Sequence, residues 1–232
     1  MINEPPRLTI RTDFPRPTTA QLAAFRDIPT GFLCDAMDGR GAMDTAIGPI
    51  GGGGHLPPHA VGVALVADNG PEEILATMGA VHVMKAGDMV VAAVRGAVNC
   101  SAAGDQFMGM LRNKGAAGFV TDGAMRDYAG IKAVGLPAWC AGLNPNSPYS
   151  NGPGRVGFDA VVGGQTVASG DIIVADENGV VVIPFARIDA VIAALVDVRA
   201  AEDALEAKVA DGYCEMGLVV EMLADGRAVQ LG

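Results

Sequence analysis

Between Ala60 and Gly135 apolar, strand-like runs alternate with helix-like stretches, and this alternation restricts the possible folds more than any other feature of the chain. The runs are "AVGVALVA" (60–67), "DMVVAAV" (88–94) and "AGFVT" (117–121). Between them lie "PEEILATMGAVHVMK" (71–85), with Pro71 suited to a first helical turn, and "DQFMGMLRNK" (105–114), ended by Gly115. A short helix is expected after Arg126. Strands joined by helices pair in parallel through right-handed crossovers, which predicts an α/β fold.

From Pro137 to Pro184 the pattern changes to strands and turns: "PAWCAG", "RVGFDAVV", "DIIVAD" and "GVVVIP". A long helix over roughly 186–211 follows, with Ile188, Val191, Ile192, Leu195 and Val198 spaced to form a core-facing stripe. Residues 1–17 read as an extended arm, "TTAQLAAFRDI" as a short helix capped by Thr18 or Thr19, and "TGFLCDAMDG" as a second short helix. Residues 213–232 form a C-terminal extension. No repeat or linker interrupts the 232 residues, so a single domain is expected.

Several function classes fit poorly. Every apolar run is broken well short of the roughly 20 residues that span a bilayer. The N-terminal stretch lacks an apolar signal core, so a cytoplasmic protein is expected. A formal charge of -10 disfavours nucleic acid, which is bound through clustered Lys and Arg. Cys34, Cys100, Cys140 and Cys214 stand singly, without zinc or disulfide spacing. "GPGRVG" (152–157) has the letters of a dinucleotide loop but leads into a strand, and "GGGG" (51–54) lacks the Lys-Ser/Thr of a phosphate loop. His55 and His59 are four apart, yet the prolines of "HLPPH" prevent a helix that would bring them together as zinc ligands. His82 reads as a packed or solvated helix residue, and no G-x-S-x-G elbow occurs.

In open α/β sheets ligands settle at the carboxyl ends of strands. Two such ends follow one another here, "RGAVNCSAAGDQF" and "DGAMRD". If their strands are neighbours, Asp105 opens one helix and Arg126 and Asp127 open the next, around one crevice. N–H groups near Gln106 and Phe107 would then suit a small carboxylate. An aspartate such as Asp127 suits Mg²⁺, which takes few protein ligands, and Arg126 could hydrogen-bond a ketone oxygen, so that cation and guanidinium stabilise an enolate. On these residues alone, a solvated Arg-Asp turn and an ordinary helix cap at Asp105 explain the pattern more simply.

The spacing adds a further constraint. Twenty residues separate Asp105 from Arg126-Asp127, within "AAGDQF", "RNKGAAGFVTDGAMRD", "LPAWCAG" and "ASGDIIVADENGVVVIP". Over about residues 28–212 the chain resembles the family of ribonuclease E activity regulator A (RraA) and the metal-dependent 4-hydroxy-4-methyl-2-oxoglutarate / 4-carboxy-4-hydroxy-2-oxoadipate aldolases, also found under the label demethylmenaquinone methyltransferase. The resemblance implies a swivelling-type α/β/β fold, a trimer or dimer of trimers with active sites at subunit interfaces, and a Mg²⁺ or Mn²⁺ cofactor. It implies that Asp127 holds the metal, Asp105 orders metal-bound waters, Arg126 contacts the ketone oxygen, and the Gly104–Phe107 backbone, with Gln106, binds the substrate carboxylate. Glu202 on the C-terminal helix of a neighbouring subunit, with Glu206 one turn on, is the match for a water-steering glutamate. The activity implied is retro-aldol cleavage of a 4-hydroxy-2-oxo acid to pyruvate with oxaloacetate decarboxylation. A non-catalytic regulator of an RNA-processing enzyme and an enzyme for another 2-keto acid are the alternatives. Relatives often carry Glu at Asp105 and apolar residues at Gln106 and Phe107. The 144–159 loop, with Tyr149 and Arg155, departs from their shorter, lysine-containing loop.

Overall fold

The computed structural model describes residues 4–57 and 59–231, so the first three residues of the expected arm, Pro58 of "HLPPH" and the last residue of the C-terminal extension lie outside it. The described residues fall into two compact units divided between Leu195 and Val196.

The first unit begins with β1 (Leu8–Ile10), α1 (Thr19–Ala23), α2 (Thr30–Asp35) and β2 (Gly48–Pro49). Then come β3 (Ala60–Asp68), α3 (Leu75–Val83), β4 (Asp88–Ala93), α4 (Asp105–Asn113), β5 (Gly118–Thr121) and α5 (Tyr128–Val134). The β-rich part holds β6 (Ala138–Cys140), β7 (Gly154–Val156), β8 (Ala160–Val162), β9 (Gln165–Val167), β10 (Ile172–Asp176) and β11 (Gly179–Ile183). Helix α6 (Ile188–Ala210) starts in the first unit and runs into the second, which also carries α7 (Gly217–Ala224).

Strands β3, β4, β5 and β6 pair in parallel in that order, as the alternating pattern predicts. Because successive side chains point to opposite faces, one sequence run supplies two cores. Leu65, Ala67, Val90, Ala92, Phe119 and Ala138 pack with α3, α4 and α5 on one face. Ala64, Val66, Met89, Val91, Val120 and Trp139 pack on the other against Val162, Val167 and Ile173 of the β-rich layer. A third core lies between the β10–β11 hairpin and the two short helices, joined by Ile188, Val191 and Leu195 of α6. Helices, main sheet and added β layer make up the swivelling-type α/β/β arrangement. Its connecting piece is β3, whose first half pairs antiparallel with β10 and whose last residues pair antiparallel with β7. β7 in turn pairs with β1 in the arm.

Local chemistry explains the boundaries. Thr18, rather than Thr19, caps α1 in a capping box with Gln21. Pro71 does not open α3, because Glu72 adopts a left-handed backbone (φ 57°) and the helix starts only at Leu75. Glu73 takes over the work of a cap. One of its carboxylate oxygens accepts from the N–H groups of Ile74 and Leu75, and the other from Asn151 and Gly152. Burial pushes this carboxyl up, but the four N–H donors outweigh it and hold it below the usual glutamate range.

Candidate functional site

The carboxyl ends of β4 and β5 lie side by side, and the loops that leave them are stitched together by backbone hydrogen bonds. Ala102 N–H donates to Ala124 O (2.7 Å) and Arg126 N–H to Ala103 O (3.0 Å). Met125 N–H donates to Gly142 O and Asn144 N–H to Met125 O (both 2.9 Å), which ties in the loop after β6. Asp122 locks the first two loops at their base, its two oxygens accepting from Val94 N–H (2.8 Å) and Gly96 N–H (2.9 Å). Burial raises the Asp122 carboxyl above its ordinary value, against the opposing effect of these N–H groups.

Gly104 precedes α4, and Asp127, at φ 60°, precedes α5. The two helix starts touch. A Cβ on Gly104 would lie 2.5 Å from Asp127 Oδ2 and 3.3 Å and 3.4 Å from Arg126 Cγ and Nε. A Cβ on Gly130, in the first turn of α5, would collide with the Asp105 carboxylate. Gly104 thus leaves room for the Asp127 carboxylate at the start of α4, and Gly130 leaves room for the Asp105 carboxylate at the start of α5. Arg126 is oriented by two contacts, Nε to Asp127 Oδ2 (3.3 Å) and Nη1 to Ser147 Oγ (2.8 Å). Both charged side chains remain accessible, 36% and 44% exposed.

The other expected residues are placed as follows. Gln106 is exposed, and its N–H donates to Asp105 Oδ1 (2.6 Å), leaving the adjacent α4 N–H groups to face outward by helix geometry. The Phe107 ring turns inward and meets Phe119 edge-on at 6.1 Å. Glu202 and Glu206 lie on α6 beyond Val196, in the second unit. Tyr149 is exposed, and Arg155 stacks over the Phe158 ring at 4.2 Å. His59 Nε2 donates to Ile28 O (3.0 Å), while His55 packs against Tyr128. Among the described residues no group of three or more His, Cys, Asp or Glu side chains could cage a metal. Asp127 carries an accessible carboxylate, the kind of oxygen ligand that a hard, largely hydrated cation takes.

Sequence reasoning missed Ser147 and Asp122. Asp122 had a visible signal, a carboxylate directly after a buried strand, whereas nothing in "NPNSPYS" marks Ser147, the first of its two serines, as an arginine partner.

Residues 30–182 match the family model RraA-like, described as Aldolase/RraA. A Halalkalibacterium halodurans protein provisionally named 4-hydroxy-4-methyl-2-oxoglutarate aldolase is 30% identical over 202 residues, covering 87% of this chain and 94% of its own. Among solved structures, an uncharacterized protein from Pseudomonas syringae pv. tomato superposes with TM-score 0.75 at 22% identity, over 88% of this chain and 94% of that one. Streptomyces coelicolor RraAS2, described as an unusual member of the RNase ES inhibitor RraA protein family, superposes with TM-score 0.72 at 21% identity, over 84% and 99%. At these identities the structures show a shared fold.

Proposed function

The chain belongs to the RraA-like family, and on that footing we propose that it is a divalent-metal-dependent lyase cleaving a 4-hydroxy-2-oxo acid, of the 4-hydroxy-4-methyl-2-oxoglutarate type, to pyruvate. The observation that carries this reading is the approach of Gly104 to Asp127 and Arg126, which brings a helix N-terminus, a carboxylate and a guanidinium to one point.

Asp127 would hold Mg²⁺ or Mn²⁺ directly and Asp105 through water. Such an ion, when bound, supplies Lewis-acid stabilisation of negative charge on the substrate's ketone oxygen. Arg126 has five N–H donors, two of them engaged by Asp127 and Ser147. The remainder can donate to the ketone oxygen, where charge develops as the C3–C4 bond breaks and its electron pair moves toward the carbonyl. The free N–H groups at the start of α4 take the C1 carboxylate. The proton of the 4-hydroxyl leaves to a water steered by Glu202, or Glu206, of a neighbouring copy in a trimer or dimer of trimers. C4 becomes a carbonyl, and protonation at C3 completes pyruvate. Decarboxylation of oxaloacetate passes through the same enolate without needing a base for a hydroxyl, and should accompany the main reaction. The cytoplasm is the proposed setting.

The test is pyruvate release from oxaloacetate and from 4-hydroxy-4-methyl-2-oxoglutarate, with and without EDTA. Turnover of both that chelation abolishes and Mg²⁺ restores is expected, and Asp127→Ala should lack it while remaining folded. Turnover of oxaloacetate alone would mean an enzyme for another 2-keto acid. A protein-binding regulator, the reading that the Streptomyces coelicolor neighbour's description favours, would release pyruvate from neither.

A further inference from the structure

Pyruvate-forming cleavage accounts for one end of a substrate, and a chain of formal charge -10 must still attract whatever stands at the other end. A cation suited to that task lies outside the Arg126 cluster. Arg95, the second residue after β4, is exposed and holds a left-handed backbone (φ 57°) that strains a residue with a side chain. The strain is maintained from below, since buried Asp122 accepts from the N–H groups on either side of it, those of Val94 and Gly96. Arg7, Arg11, Arg16, Arg126 and Arg187 each have a hydrogen-bond or ion-pair partner, whereas among the described residues the Arg95 guanidinium, like those of Arg26, Arg112, Arg155 and Arg199, has neither.

Arg95 borders a cleft of about 350 Å³ between the Asn69–Glu73 turn and the segment from Tyr149 to Pro153, and also a second one of about 500 Å³ beside Asp44 and Asp122. The two acidic wall residues of the first cleft are held by neutral donors, which fix their positions without removing their charge, and among the described residues neither forms an ion pair with Arg95. Glu72 Oε1 accepts from Asn99 Nδ2 (3.0 Å), and Glu73 is saturated by four backbone N–H groups. The same loop joins this cleft to the Arg126 cluster, because Ser147 accepts from Arg126 while Tyr149 lines the cleft. The loop itself is fixed, with Asn144 Nδ2 donating to Val98 O (2.8 Å), Asn146 Nδ2 to Asn99 O (2.9 Å) and Tyr149 N–H to Glu72 O (2.8 Å).

We propose that Arg95 is the specificity-determining residue that receives the distal carboxylate of a dicarboxylic 2-keto acid, whose keto-acid end lies at Arg126. This rests on the function proposed above, whose substrate already carries a second carboxylate, and names the residue that would recognise it. A guanidinium fork matches a carboxylate in two parallel hydrogen bonds, and a lysine would supply only the point charge.

The test compares Arg95→Gly and Arg95→Lys with the wild-type full chain in Mg²⁺. Glycine accepts φ 57° without strain, so Arg95→Gly should melt no lower than wild type. One readout is KM and kcat for 4-hydroxy-4-methyl-2-oxoglutarate against the monocarboxylate 4-hydroxy-2-oxopentanoate. The other is calorimetric titration with 2-oxoglutarate against 2-oxobutanoate. Wild type should favour the diacid at least tenfold in both. Arg95→Gly should lose that preference, chiefly as a raised KM for the diacid, and Arg95→Lys should recover part of it. A preference that survives in Arg95→Gly, or is missing from wild type, overturns the assignment. Absence of all turnover, with the titration preference present in wild type and lost in Arg95→Gly, would remove the lyase reading and leave Arg95 as a carboxylate receptor.

Discussion

Gly104→Ala tests the site with one methyl group. Gly104 has extended backbone (φ -133°, ψ -175°) that alanine adopts freely, so no backbone strain enters. The new Cβ would stand 2.5 Å from Asp127 Oδ2, and ordinary contact begins near 3.4 Å, so the carboxylate must retreat by about 0.9 Å. It is the tip of a side chain 44% exposed, and the retreat costs about 1 kcal/mol as an off-rotamer torsion with a weakened contact to Arg126. Stability should therefore change little. Catalysis depends on placement to a fraction of that distance, and a displacement of about 1 Å lowers rates about 100-fold, equivalent to about 2.7 kcal/mol in the barrier. The expected result is a melting temperature near wild type with roughly 100-fold slower metal-dependent pyruvate release from oxaloacetate and a weaker response to Mg²⁺. Wild-type turnover by Gly104→Ala would refute the reasoning, because the Asp127 carboxylate would then not need the position it holds.

Two further outcomes follow from hydrogen bonds around the site. Ser147→Ala removes the acceptor of Arg126 Nη1 at an exposed position, and should lower kcat/KM about fivefold, equivalent to about 1 kcal/mol, at unchanged melting temperature in thermal denaturation. Glu73→Gln puts an amide where four N–H groups expect two carboxylate oxygens, and should cost roughly 2 kcal/mol in urea denaturation. The Glu73 carboxyl is held below the ordinary value of about 4.3, so its contribution is complete above that pH and fades as pH falls through the lowered value. A stability difference between wild type and Glu73→Gln that persists undiminished at pH 2 would contradict this.

Much of the fold was legible because strand and helix periods differ. The runs at 60–67, 88–94 and 117–121 are too short for buried helices, and the stretches between them carry helix punctuation such as Gly115. The reading failed where a side chain overrode a local signal. Pro71 looks like a helix start, yet the left-handed turn at Glu72 and the Glu73 carboxylate move the start to Leu75. Strand β1 was invisible for another reason, since three residues in a proline-rich arm become a strand only by pairing with β7. At the site, Asp105, Arg126 and Asp127 could be named from their spacing and Gly104 from the resemblance, but neither the contact of Gly104 with Asp127 nor the role of Gly130 could, because both arise only across the gap between two helices.

Strand β3 also constrains the order in which the chain can assemble. Ala60–Val63 need β10 and Ala67–Asp68 need β7, so one strand waits on two segments made about a hundred residues later. The parallel β3–β4–β5 core can form while synthesis is still under way, whereas the other edge of β3, shared by β10 and β7, and the docking of β1 depend on contacts of high sequence separation. A ribosome-bound chain that ends near residue 140 would carry Arg126 and Asp127 on a sheet still lacking its second layer and the Ser147 acceptor. The Arg126–Ser147 contact thus forms only after the chain beyond β6 has been made, so the guanidinium is held in place by a segment younger than the sheet that carries it.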